Sequence, residues 1–189
     1  TVLASASALA AGETVLLQNV PVVDAGAYRV RVTQLEGSGD YQVQLVLNAA
    51  LEAEAHGGAG NDDRAAAENL DASALALVGA ADRLAVHGSL AAGNADWYGF
   101  TLTAGQRTSL AVTRTDIPPL SGLTLELYDG AGNLLVLGSE AAGNVSQSIS
   151  AYLAPTAGTY YVRVGGAVAA PYSLVLTRDA EFGLETPDV

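Results

Sequence analysis

Two stretches of this 189-residue chain, 132 positions apart, carry nearly the same strand. Ala25-Gly26-Ala27-Tyr28-Arg29-Val30-Arg31-Val32 matches Ala157-Gly158-Thr159-Tyr160-Tyr161-Val162-Arg163-Val164 at six of eight positions. With one residue of slippage the correspondence continues, Tyr41-Gln42-Val43-Gln44-Leu45-Val46 falling on Tyr172-Ser173-Leu174-Val175-Leu176-Thr177 and Asn48-Ala49 on Asp179-Ala180. Each copy alternates apolar and polar residues, the mark of a strand with one buried and one wet face. An internal repeat of strand sequences limits the chain to an all-β arrangement of repeated modules.

The same period of two runs through the rest of the chain. Leu123, Leu125 and Leu127 alternate with Thr124 and Glu126, and further strands are expected over 14–20, 41–48, 83–90, 96–103, 107–114, 133–137, 147–153, 159–164 and 172–178. Turn residues separate them, as in Asp129-Gly130-Ala131-Gly132-Asn133, and Ile117-Pro118-Pro119 cannot join a central ladder. Short strands so punctuated predict an antiparallel β-sandwich rather than a β-α-β fold. The best helical candidate is 63–69, where Ala65-Ala66-Ala67 favours helix, and at under two turns it needs tertiary support. The repeat divides the chain into the C-terminal half of one module (1–52), a Gly-rich linker (53–60), a complete module (61–180) and the start of a next linker (181–189). A half module lacks the strands that cover its apolar face, so either its first half was cut away or another chain supplies the partner.

Charge narrows the function. Eight arginines, no lysine and 20 acidic residues leave a net charge of −12, which repels nucleic-acid phosphates and anionic lipid and favours divalent cations. The chain has no cysteine, so disulfides, zinc-thiolate sites and thiol nucleophiles are excluded. It also has no methionine, as in a processed protein or an excised fragment, and its Ala-rich opening lacks the basic and long apolar regions of a signal peptide. No run approaches the roughly 18–20 apolar residues of a membrane span, so a soluble chain without membrane insertion is expected.

The ordered pieces Asn61-Asp62-Asp63, Ala67-Glu68-Asn69-Leu70, Val86-His87-Gly88-Ser89-Leu90 and Asn94-Ala95-Asp96-Trp97-Tyr98-Gly99-Phe100 resemble the bacterial pre-peptidase C-terminal (PPC) domain family. Leu102-Thr103-Ala104-Gly105-Gln106, Leu123-Thr124-Leu125-Glu126-Leu127-Tyr128-Asp129 and Gly158-Thr159-Tyr160-Tyr161-Val162-Arg163-Val164 extend the resemblance over 61–180, and 14–48 shares its second half. The resemblance implies a non-catalytic jelly-roll β-sandwich of secreted or cell-surface bacterial proteins, often in tandem and often beside peptidases. It also implies calcium near the N-terminal strand in some members and collagen binding in related collagenase modules.

Calcium takes six to eight oxygen ligands. Asn61, Asp62 and Asp63 at the start of the module, with Asn94 and Asp96 ahead of a later strand, form the candidate metal set, of which Asn61, Asp62 and Asp96 match the calcium-binding relatives. Those relatives carry acids just upstream of the Asn-Asp pair, where this chain has Gly57 to Gly60, and Asp where this chain has Asn94. The competing expectation is that Asn61 and Asp62 cap the helix at 63–69 and that Asp96 orders a turn. Gly57-Gly58-Ala59-Gly60-Asn61-Asp62 also starts like an RTX calcium nonapeptide, but one copy cannot build a β-roll and Arg64 stands where an apolar residue belongs.

No catalytic set is found. His56 and His87 have no partner motif of the His-Glu-x-x-His, Gly-x-Ser-x-Gly or Walker kind, so an enzyme is not expected. Of the aromatic pairs Trp97-Tyr98 and Tyr160-Tyr161, one member of each faces outward, which makes Trp97 and Tyr161 candidate contacts for polysaccharide or an extracellular protein. Asn144-Val145-Ser146 is a formal glycosylation sequon. Expected partners are other modules of the same protein or neighbouring copies, and the sequence admits three roles: a spacer, adhesion or stabilising module, a fibre, sheath or surface-layer subunit completed by strand exchange, or an accessory binding module.

Overall fold

A computed structural model describes residues 1–116, 122–141 and 145–182. The expected breaker at Pro118-Pro119, Asn144 of the sequon and most of the C-terminal linker lie outside the described residues.

The complete module is a sandwich of two sheets. Its long strands are β4 (Asp82–Leu90), β5 (Ala95–Leu102), β6 (Arg107–Arg114), β7 (Leu123–Tyr128), β8 (Leu134–Leu137), β9 (Gln147–Leu153), β10 (Gly158–Gly166) and β11 (Ala170–Arg178), close to the expected spans. Three short strands precede them, β1 (Ala50–Leu51), β2 (Glu68–Asn69) and β3 (Leu75–Ala76). One sheet runs β1-β4-β11-β6-β9 with β3 also on β4; the other runs β2-β5-β10-β7-β8. The long strands pair antiparallel as the alternation requires, whereas β1 on β4 and β2 on β5 are parallel, so both sheets are mixed.

Period two decides which side chains meet between the sheets. Tyr160, Val162 and Val164 of β10 point inward with Leu123, Leu125 and Leu127 of β7 and Tyr98 and Phe100 of β5. They pack on Leu84 and Val86 of β4, Leu110 and Val112 of β6, and Tyr172, Leu174 and Leu176 of β11. At about 25 cal/mol per Å² of apolar surface removed from water, this layer is the main stabilising term. Gly88 of β4 lies against Tyr172, and a Cβ there would overlap that ring and its hydroxyl.

Two local expectations change. The helix over 63–69 is only a 3-10 turn at Arg64–Ala66, because Ala67 goes extended (ψ 130°) and Glu68 and Asn69 pair with Tyr98 and Gly99. A sheet edge thus outcompetes alanine's helix preference. The residue that caps the turn is Asp63, whose Oδ1 accepts from the amides of Ala65 (2.8 Å) and Ala66 (3.0 Å); Asn61 and Asp62 do not cap it. The end of the 1–52 segment and the start of the linker are docked rather than free: Ala50 and Leu51 pair with Val86 and His87, the Glu52 amide donates to the His87 carbonyl (2.9 Å), and a 3-10 turn spans Glu54–His56 before Gly57 takes φ 80°.

No strand forms over 14–20, 28–32 or 41–48, and the apolar residues of those spans, Leu16, Val20 and Val46 aside, are exposed. The reason lies in the topology. In the complete module the counterparts of these spans pair with β4–β7, β9 with β6, β10 with β5 and β7, and β11 with β4 and β6, and beyond these Ser148 of β9 makes a single bridge to Ser139. They never pair with one another. Without an acceptor they have nothing to form a ladder with.

Candidate functional site

The parallel register of β1 on β4 carries the next residue, Glu52, into the sandwich, where it is 1% exposed. Its Oε2 accepts from the Ser89 amide (2.8 Å) and its Oε1 from the Tyr98 hydroxyl (2.8 Å). The Tyr98 and Tyr172 hydroxyls are 2.5 Å apart, and Tyr172 donates to Oδ2 of Asp96, also buried, at 2.7 Å. Three short oxygen–oxygen contacts link four groups, and two hydroxyls supply only two protons. The third comes with protonation of Asp96, which then donates to Tyr172 and frees the Tyr172 hydroxyl to donate to Tyr98. Burial raises the Asp96 pKa to about 7, the charges of Glu52 and Glu54 add to the rise, and the Tyr172 hydrogen bond opposes it. Burial likewise pushes Tyr98 and Tyr172 up, so both remain donors.

Asn61 lies beside this cluster. It is buried, its carbonyl accepts from the Trp97 amide (2.8 Å), its Nδ2 donates to the Trp97 carbonyl (3.3 Å), and its Oδ1 has no donor. A buried oxygen left unmatched costs about 1–3 kcal/mol unless something positive or protic faces it. The Glu54 Oε2 accepts from the Asn61 amide (3.3 Å), and the Asp62 carboxylate accepts from the Asn94 amide group. Asn61, Asp62, Asn94 and Asp96 therefore lie near the start of β5, whereas Asp63 is committed to its turn. None of the salt bridges among the described residues involves Glu52, Glu54, Asp62 or Asp96. All the side-chain donors on offer are oxygens, which suits a hard divalent cation. Among the described residues no three acidic or histidine side chains are already spaced to hold an ion, so the carboxylates would have to turn from their hydroxyl and amide partners to converge.

Glu52 and Glu54 are the residues the sequence reading missed. It sought acids immediately upstream of Asn61, where four residues of glycine and alanine stand, but the turn at Glu54–His56 and the left-handed Gly57 fold the chain back across that gap. The available signal was the Glu52-Ala53-Glu54 spacing, which keeps strand alternation past β1.

The outward aromatics lie on the opposite face of β5 and β10. Trp97 packs on Tyr128 with centroids 4.9 Å apart, and Arg64 sits over the Tyr161 ring at 5.5 Å while donating to the Gly130 carbonyl (2.7 Å). Both candidate rings are thus half-covered by neighbours from their own module. His87 is exposed on β4, with no nucleophile bonded to it.

Residues 94–166 match the family model of the bacterial pre-peptidase C-terminal domain. Similar solved structures include the pre-peptidase C-terminal domain of collagenase from Bacillus anthracis, 24% identical with a TM-score of 0.41 over 49% of this chain and 86% of that one. Another is the periplasmic g-type lysozyme inhibitor PliG of Aeromonas hydrophila, 14% identical with a TM-score of 0.41 over 55% and 92%. The PliG of Salmonella Typhimurium is 22% identical with a TM-score of 0.35 over 51% and 90%. No curated protein matches the chain. The matched span runs from the turn ahead of β5 to the end of β10, so the likeness to the bacterial pre-peptidase C-terminal domain lies in this part of the sandwich.

Proposed function

We propose that the chain is a non-catalytic module of a secreted or cell-surface protein, serving as a spacer, adhesion or stabilising unit whose linker–sandwich junction is tightened by calcium. The observation that carries this reading is the corner where Glu52 and Asp96 are buried and linked through Tyr98 and Tyr172, with Asn61, whose Oδ1 has no donor, bonded to the backbone of Trp97 next along β5. Glu54 and Asp62 flank it, and among the described residues no arginine forms a salt bridge with any of the four acids. Glu52, Glu54, Asn61, Asp62 and Asp96 are the residues that would hold the ion, with Asn94 positioning Asp62. Calcium supplies a positive charge that these oxygens otherwise obtain only from shared protons. Residues 50–54 and 61–62 flank the Gly-rich stretch that leads into the sandwich, and Asp96 lies in β5 of the sandwich itself. Ligands drawn from both sides make the ion a fastener, and its contribution follows mass action, about 2.7 kcal/mol at a concentration 100 times the Kd.

Thermal melting in EDTA and across a calcium titration tests the proposal. The midpoint is expected to rise with calcium in the native chain and to stay flat in Glu52→Gln/Asp96→Asn. A flat response of the native chain contradicts the reading and leaves the corner as a proton-linked packing device.

A second reading rests on the outer face, where Trp97, Tyr128 and Tyr161 lie on adjacent strands. Polysaccharide or collagen pull-down that fails with Trp97→Ala and Tyr161→Ala would favour an accessory binding role. Pull-down unaffected by both variants contradicts it.

A further inference from the structure

Residues 14–48 keep the local geometry of β9, β10 and β11 without the sheet around them. Among the described residues four that are not glycine have positive φ, an uncommon backbone state, and they fall into two pairs at the spacing of the repeat. Asn19 (φ 54°) lies 132 residues before Ala151 (φ 51°), and Asn48 (φ 61°) lies 131 before Asp179 (φ 55°). The Tyr28 hydroxyl donates to the Asp24 carbonyl (2.5 Å) as the Tyr160 hydroxyl does to the Thr156 carbonyl (2.8 Å). Three local features at matching places mark two copies of one fold fragment.

Their surroundings differ completely. Val30 is 66% exposed where Val162 is 0%, Tyr41 70% where Tyr172 is 1%, and Leu45 70% where Leu176 is 0%. Tyr28, Val32, Val43 and Leu17 are likewise exposed where Tyr160, Val164, Leu174 and Ile149 are core. An apolar face this long, left in water, is a docking surface.

We infer that residues 14–48 are the closing strands of a second sandwich and dock onto an acceptor segment of the same polypeptide that carries counterparts of β4–β7. The inference concerns a different region from the calcium corner and does not depend on it. The repeat itself specifies the occupant. Residues 160–164 and 172–176 are covered by alternating apolar side chains of β4, β5, β6 and β7, so their equivalents at 28–32 and 41–45 need the same set. Arg163 pairs with Glu126 of β7 (3.1 Å), and Arg31 at the equivalent position calls for an acid on the acceptor's β7. A second copy of this chain does not serve. Every copy brings two sets of closing strands and one acceptor, which its own β9–β11 already fill, so any number of copies leaves one set per chain uncovered. In the complete module acceptor and closing strands follow one another along the chain, and that continuity gives the docking a high effective concentration.

The test is a chain with its own residues 61–132 repeated ahead of Thr1, which puts Thr1 at the place of Asn133. Hydrogen exchange of the 28–32 and 41–45 amides is expected to slow by at least about 100-fold relative to the unextended chain, as for amides drawn into a sheet. Val30→Asp in the extended chain should reverse that slowing while 160–164 remain protected. Unchanged exchange at 28–45 beside protected 160–164 would overturn the inference. So would a dimer of the unextended chain, seen by light scattering, in which 28–45 is protected. A second variant tests interchangeability in the intact sandwich: Thr159→Ala and Tyr161→Arg together with residues 172–177 replaced by the sequence of 41–46. A single cooperative melt of 61–180 is expected, and loss of that melt would count against equivalence of the two strand sets.

Discussion

Tyr28–Val32 and Tyr160–Val164 differ at one position in five, yet the first stretch lies in water and the second is the central strand of a sheet. The comparison separates what a strand sequence carries by itself from what the fold must supply. The tyrosine-to-carbonyl bond and the left-handed residues at 19 and 48 are local, and they persist in the first copy. The ladder is not local, because β10 finds both its partners in β5 and β7 and none in β9 or β11. Strand preference is a statement about fitting a half-buried surface, and where the surface is missing the strand is missing.

Paired substitutions break or sharpen this comparison. Val162→Asp places a charge at a fully buried position and should abolish the cooperative melt, whereas Val30→Asp should leave it in place. Leu174→Ala opens a cavity and should cost about 2–5 kcal/mol, while Val43→Ala at the equivalent exposed position should change stability by less than about 0.5 kcal/mol. Both pairs are read by denaturant titration.

The acid corner gives the sandwich a pH dependence. Because Asp96 is raised to about 7 in the folded chain from an ordinary 3.8, the folded state binds more protons across that range. Its stabilising contribution is therefore full below about pH 4 and is lost as the pH rises through about 7. Glu68, raised mainly by burial and held by the Ala53 amide, acts in the same direction. Melts in EDTA from pH 4 to 8 should show the decline, and Asp96→Asn should flatten it. The smallest contrast is Tyr160→Phe against Tyr28→Phe: loss of the bond to the Thr156 carbonyl should cost about 1 kcal/mol, and loss of the equivalent bond to Asp24 should leave the global melt unchanged.

Most of the fold was legible from side-chain period. β6 and β9 occur at the expected residues, and the other long strands within a few, because apolar alternation is both the signal and the cause of burial. The helix at 63–69 failed for a tertiary reason, the free edge of β5 taking Glu68 and Asn69. The site was half legible. Asn61, Asp62, Asn94 and Asp96 converge because β5 starts where the segment at Asn61 crosses it, a meeting the Asn-Asp pattern announces. Glu52 and Glu54 are hidden by the Gly-rich stretch that separates them from Asn61 in sequence; a left-handed glycine after a 3-10 turn reverses the chain in a way composition does not reveal. The proton shared among Glu52, Tyr98, Tyr172 and Asp96 depends on contacts between residues up to 120 positions apart, which no local pattern encodes.

The most direct measurement is residue-resolved hydrogen exchange on the chain as it stands. If burial by β4–β7 alone separates the two copies, the amides of 160–164 and 172–176 exchange only through global unfolding, and those of 28–32 and 41–45 exchange at close to the rate of an open chain. Comparable protection in both copies would contradict the account, since the first copy would then have found its partners without an acceptor.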